Sequence, residues 1–342
     1  MVERISTTGG LIFTRNQIQA NNAKYEELQY QIATGRKYDQ LKDYGTSATR
    51  ILDLSNEIAA REAYKRSIDL TELTANAYDT TLERMVDILD DLVNAAEPIS
   101  VDDTNWASDN QILGNNLLLD FQTNINMEIG GRYIFGGTNF TTPPVKDLRS
   151  LSTYTTNDLP PTAVNTIETA SQLPQHLIDS GGTNTIESYM TNFSGTGTID
   201  FKAWEKVEVT VAPNQTIEYG IVATDQAFQN AVEALLRFKS ATQSGLTTDQ
   251  RNEFLNQARS LADSTRSELR HLQAGNGIFL TEIKNAKELH ESFITISEIA
   301  LDKITVADSA QAATEMSALQ TMIQASYQVI SKRSQLSLIN YI

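Results

Sequence analysis

Three histidines, His176, His271 and His290, are the chain's only imidazoles. Imidazole is the side chain best suited to shuttle protons near neutral pH or to ligate a metal. Their spacing points to neither use. None lies in a His-x-x-x-His pair, and no glycine-rich phosphate loop accompanies them. The adjacent acids Asp90-Asp91 and Asp102-Asp103 suggest acid–base or cation chemistry at first sight. Consecutive helix positions do not converge on one substrate, however, and calcium-loop spacing is absent. There is no cysteine, which excludes disulfides, thiolate nucleophiles and zinc–sulfur sites. Tyr64 and Tyr78 could form an aromatic ligand box, but they share one uninterrupted apolar seam with Leu82 and Leu89 and read as helix–helix core. The expectation is no catalytic, cofactor-binding or metal-binding residues.

Composition narrows the field further. The 342 residues suffice for two or three domains, and the formal net charge is −16. Nucleic-acid binding needs basic patches that displace phosphate counterions, so this balance argues against it. It also disfavours anionic membrane surfaces. No run of 18 or more apolar residues predicts membrane insertion. The start, Met1-Val2-Glu3-Arg4-Ile5-Ser6, lacks a charged-then-apolar signal pattern. Export would need another signal.

With no chemistry to position, the elements themselves become the message. Leu11, Ile18, Tyr25 and Ile32 recur every seven residues, with Leu28 in the complementary place. At the other end Leu319, Ile323 and Ile330 run beside Met322, Val329 and Leu336. Each stripe gives its helix an apolar seam without a partner in its own segment. Periodicity leaves two readings open, an intramolecular bundle or packing between molecules. Ser6, Thr7 and Thr8 can cap the first helix, from about Gly10 to Thr34, and Gly35 can stop it. Residues 35–45 read as a loop.

A second helix, about Ser47 to Ala96, is marked by Ile51, Leu54 and Ile58. Tyr64, Ile68, Thr71, Ala75, Tyr78, Leu82, Met85, Leu89, Leu92 and Ala96 then alternate spacings of four and three. It would be roughly 75 Å long, which suits a rod. Pro98 ends it. A third helix, about Trp106 to Ile129, places Trp106, Leu113, Leu117, Phe121 and Ile125 near one face, with Ser108 and Gln111 at capping-box spacing. Six of the seven prolines then fall between Pro143 and Pro213. Tyr133-Ile134-Phe135, between glycine pairs, reads as a short strand leaving the helix. Val207, Val209 and Val211 alternate with Glu208 and Thr210 as a half-buried strand. Helical signal resumes at the cap pair Thr224-Asp225 and again at the Thr247/Gln250 box. Gly275-Asn276-Gly277 marks a turn or kink. Asp308 and Gln311 can cap the last helix. The fold class is mainly α with a β-rich insert, a layout in which both chain ends can form a terminal coiled coil and a long antiparallel helical rod.

On these residues the chain resembles the bacterial flagellin superfamily, and within it the hook-associated protein 3 group of hook–filament junction proteins. The N-terminal match is Arg4-Ile5-Ser6 followed by Gln31-Ile32-Ala33-Thr34-Gly35-Arg36. Thr305-Val306-Ala307-Asp308 and the ending Ser337-Leu338-Ile339-Asn340-Tyr341-Ile342 match at the other end. Gly131-Arg132-Tyr133-Ile134-Phe135-Gly136-Gly137-Thr138 is similar to the group's hinge after the third helix, with Gly131, Tyr133, Phe135, Gly136 and Gly137 carrying the pattern. Asp43 to Ala48 departs from the usual Ser-x-Asp-Asp-Pro-Ala. The motifs cover about residues 1–140 and 222–342.

The resemblance implies a terminal coiled-coil assembly domain (1–45 and 306–342), a helical rod (46–137 and 221–305) and an outer β-rich domain (138–220). It implies a non-enzymatic structural subunit, exported without a cleaved signal peptide through the flagellar type III apparatus. The place implied is extracellular, at the hook–filament junction. The implied partners are hook-associated protein 1, flagellin, copies of itself in a ring and an export chaperone. A flagellin filament subunit is the alternative. A secreted enzyme using the middle segment is the remote one.

Overall fold

The computed structural model describes residues 7–100, 105–145, 147–150, 153 and 205–339. Its described elements are six α-helices, two 3-10 segments and two antiparallel hairpins. The chain falls into two compact units, Met1–Glu62 with His290–Ile342, and Ala63–Leu289.

The first unit contains α1 (Thr7–Thr34) and the beginning of α2 (Ala48–Ala95). It also contains the end of α5 (Thr248–Thr305) and all of α6 (Ser309–Ile339). α1 starts three residues before the expected Gly10. It stops where Gly35 adopts φ +72°, with the Gly35 N–H donating to Gln31 C=O at 2.9 Å. The stretch read as a loop carries a 3-10 segment, Leu41–Ser47, broken by Gly45 at φ 55°. Alternating glycine and charge concealed it, because a 3-10 turn needs only three residues and no apolar period. Within this unit Arg61 of α2 lies over the Phe293 ring of α5, 4.0 Å from its centroid.

In the second unit α2, α3 (Trp106–Ile125), α4 (Gln226–Ala241) and α5 enclose one large core. The α2 stripe enters as its periodicity requires. Ile68, Thr71, Ala75, Tyr78, Leu82, Met85, Leu89, Leu92 and Ala96 are all buried, with Tyr64 half-buried at the margin. α4 is buried on nearly every side, and its polar residues are paired accordingly. Asn230 bonds Gln226 and Glu268, and Arg237 reaches both Glu233 and Gln257. Asp225 caps α4 by accepting the Ala227 N–H at 3.1 Å. Thr247 and Gln250 form a reciprocal capping box ahead of α5.

Four sequence expectations change here. α3 ends at Ile125, not Ile129, because Glu128–Ile129 (β1) pairs with Arg132–Tyr133 (β2) around Gly130 and Gly131, both at positive φ. The expected strand Tyr133-Ile134-Phe135 is therefore the second arm of a hairpin, and Ile134 and Phe135 leave it for the core. Ser108 does not cap α3, which already begins at Trp106. Its hydroxyl donates to the Asn105 carbonyl. Finally, α5 runs unbroken through Gly275-Asn276-Gly277 for 58 residues.

A second hairpin, β3 (Val207–Ala212) with β4 (Gln215–Tyr219), turns at Asn214 with φ 62°. Val209 and Val211 face inward and Glu208 and Thr210 outward, as the period-2 pattern requires. The hairpin packs on Ile68 and Ala75 of α2 and Phe279 and Ile283 of α5, forming a smaller separate cluster.

Candidate assembly surface

α1 and α6 pack against each other in antiparallel fashion. Their shared end is tied by backbone. Lys37 N–H donates to Thr305 C=O and Ala307 N–H to Gly35 C=O, each at 2.8 Å, and Arg36 and Val306 form an antiparallel bridge. The Lys37 ammonium adds a bond to the Lys303 carbonyl at 3.2 Å. Asp308 starts α6 by accepting from the Ala310 and Gln311 N–H groups, each at 3.0 Å. The Gln311 side chain turns to Glu315 instead of completing a box.

The terminal stripe residues separate into two sets. Ile18 is 7% exposed and Leu28 2% exposed, and both face the pair. Tyr25, Leu319, Ile323 and Ile330 are half-buried beside them. Ile32 sits at the margin, while Met322 and Val329 are 54% and 55% exposed. The side chains of Leu11 and Leu336 fall outside the described residues. The inner line on α6 runs Ala312, Met316, Leu319, Ile323, Ser326 and Ile330, spaced four and three apart. On α1 it includes Asn21, a polar interruption whose Nδ2 is buried without a partner. Ile12, Phe13 and Tyr327 join Met322 and Val329 as exposed large apolar side chains.

The Gly131–Gly137 segment is tightly packed. Gly136 must be glycine, since a Cβ there would stand 2.4 Å from the Asn139 carbonyl oxygen. Phe135 is fully buried, edge-on to Tyr78 at 5.1 Å and to Phe228 at 5.5 Å. The Tyr78 hydroxyl donates to Ile134 C=O at 2.5 Å, and Ala223 N–H donates to Phe135 C=O at 2.9 Å. Gly220 passes close to the same hydroxyl. The chain's departure at 133–136 and its return at 220–223 are thus fastened at one buried point. Burial pushes the Tyr78 phenol well above the ordinary tyrosine range, which keeps it a donor. Tyr133, by contrast, lies half-buried, and its N–H donates to Phe140 C=O at 3.0 Å.

Side-chain amides hold the irregular segments, a feature sequence reading missed. Asn252 both donates to and accepts from the Ile99 backbone, at 3.1 and 2.7 Å. Asn126 does the same for Val145, at 2.8 and 2.9 Å.

The chemically suggestive residues stay apart. His290 is buried and His271 exposed, and His176 lies outside the described residues, as do Asp102 and Asp103. Asp90 pairs with Arg266 at 2.6 Å, and Asp91 is exposed. His271 lines an open groove of about 420 Å³ with Asp225, Ser267 and Glu268. Among the described residues no three His, Cys, Asp or Glu side chains cluster as a metal site. No helix among them is long and apolar enough to cross a membrane.

Residues 259–342, most of α5 and all of α6, match the family described as the bacterial flagellin C-terminal helical region. The C-terminal helices are flagellin-like. No curated protein matches the chain. Its fold is similar to that of a Vibrio parahaemolyticus protein provisionally named as flagellar hook-associated. That likeness has a TM-score of 0.53 at 13% identity, covering 77% of this chain and 100% of the other. At that identity the likeness is one of fold.

Proposed function

We propose that this chain belongs to the flagellin superfamily and is a structural subunit of the bacterial flagellum. It acts outside the cell at the hook–filament junction, in the manner of hook-associated protein 3. The observation that carries the reading is the pairing of the two chain ends, with α6 inside the stretch that matches the flagellin C-terminal region. The pair keeps large apolar side chains exposed at Ile12, Phe13, Met322, Tyr327 and Val329, which supports packing between molecules. In this role hook-associated protein 1 lies on one side and flagellin on the other, and copies of the chain form a ring. An export chaperone holds the subunit before it leaves through the type III apparatus. Leu11, Ile18, Tyr25, Leu28, Ile32, Leu319, Met322, Ile323, Val329, Ile330 and Leu336 supply the assembly seam. Gly131 to Gly137 fastens the outer segment to the helices.

A flagellin filament subunit is the second reading, favoured by the match of residues 259–342. The Gly131–Thr138 segment and the Ser337–Ile342 ending support the junction instead. Labelling the chain on intact flagella separates the two. Signal confined to the hook end supports the junction protein, signal along the filament supports flagellin, and absence from flagella refutes both.

A further inference from the structure

Two glycines occupy the interior of α5 without any packing reason to be there. A Cβ built on Gly275 or Gly277 would meet nothing within 4 Å. Neither has the positive φ that demands glycine. Glycine in a helix interior is destabilising relative to alanine. Asn276 between them is buried, and its Nδ2 donates at 2.7 Å to the carbonyl of Ala75 in α2. The apolar packing along α5 is thus interrupted at one polar contact.

That contact falls at a boundary. Leu269 and Leu272 of α5 pack into the large core with Tyr78 of α2. Phe279 and Ile283 pack into the smaller cluster with Ile68, Ala75 and the β3–β4 hairpin. Tyr219, stacked on Phe279 at 5.0 Å, touches both. α2 carries hydroxyl back-bonds at the same level. Thr71, Thr74, Thr80 and Thr81 each donate their hydroxyl to the carbonyl four residues earlier, a bond that bends helices. The charged ties on the hairpin side, Lys287 to Asp69 at 2.7 Å and to Glu72 at 3.3 Å, are partly exposed and add little rigidity.

We propose that residues 275–277 are a bending point of α5, on which the hairpin layer tilts relative to the large core. Its backbone freedom comes from Gly275 and Gly277, and its register is kept by Asn276 on Ala75.

Hydrogen exchange on the purified full chain tests it. Amides 277–281 should exchange faster than those of 262–269 and 283–289. In Gly275→Ala/Gly277→Ala they should slow by roughly 5- to 30-fold, the ratio for two helix-interior glycines replaced by alanine. The chain has no cysteine, so Ser260→Cys with Glu288→Cys places two spin labels on α5, about 42 Å apart along a straight helix. Their distance distribution should be broad and should narrow in the double alanine variant. Uniform exchange along the helix, no slowing in the variant, or equal distance widths would each overturn the proposal.

Discussion

Tyr78→Phe tests whether the fastening of the middle segment depends on one hydroxyl. The substitution removes a single oxygen. The ring keeps its edge-on contact with Phe135, so no side-chain cavity of consequence opens. What is lost is the 2.5 Å bond to the Ile134 carbonyl, in a place where both residues are buried. A buried carbonyl deprived of its donor costs about 1–3 kcal/mol. In a unit of this size each kcal/mol lowers Tm by about 2–4 °C, so the expected drop is about 2–12 °C. By comparison, Phe135→Ala empties a fully enclosed site between Tyr78 and Phe228 and should cost about 3–5 kcal/mol. Trp106 packs against the large core of the Ala63–Leu289 unit, so its fluorescence during heating follows the relevant transition. A Tm shift below about 1 °C for Tyr78→Phe would show that the carbonyl is satisfied another way and that the hydroxyl fastens nothing.

The same phenol gives a pH signature. Its folded pKa is raised, so the native state keeps a proton that the unfolded chain releases near pH 10. The stability advantage of the native chain over Tyr78→Phe should be complete below that pH. It should shrink by about 1.4 kcal/mol at pH 11 in urea titrations, and a constant difference would refute the assignment. Ile18→Asp and Ile323→Asp each place a carboxylate in the α1–α6 seam at a cost of several kcal/mol. They should block incorporation into flagella while the Ala63–Leu289 unit stays folded by circular dichroism, and normal filaments from either variant would remove the seam from the assembly surface. Val211→Asp should detach the β3–β4 hairpin from Phe279 and Ile283 and admit protease near Asn214, whereas native-like resistance would mean the hairpin is held by other contacts. Asp308→Ala removes the cap of α6 at about 0.5–2 kcal/mol. It should speed amide exchange at 310–315, and unchanged exchange there would contradict the capping role.

The long apolar stripe of α2 could be read from the sequence because packing demands it at every turn, from Ile68 to Ala96. The terminal seam was only half legible. Ile18 and Leu28 were found because they are large and apolar. Ala312 and Ser326, equally on the inner line of α6, are small or polar and leave no mark in an apolar count. Met322 and Val329 are large and apolar but lie on the exposed face of α6, since a stripe on an isolated helix does not say which face meets the mate within the chain. The amide clamps of Asn252 and Asn126 were invisible for another reason. They satisfy backbone groups far away in sequence, and nothing periodic announces such a bond. Gly275-Asn276-Gly277 reads as a turn or kink because local propensity favours one. Packing of Leu269, Leu272, Phe279 and Ile283 on either side carries the helix through.

The backbone knot at the shared end of α1 and α6 also sets a schedule. Lys37 and Lys303, joined there, are 266 positions apart, and the whole of α6 comes later still. At roughly 5–20 residues per second a ribosome takes on the order of 13–53 s to cover that interval. Throughout it α1 has been made and its mate has not. Ile18 and Leu28, buried in the finished pair, spend that time wet and available to strangers. α1 is therefore made long before it is secured, and the apolar side chains of its seam wait unpaired for the whole of that interval.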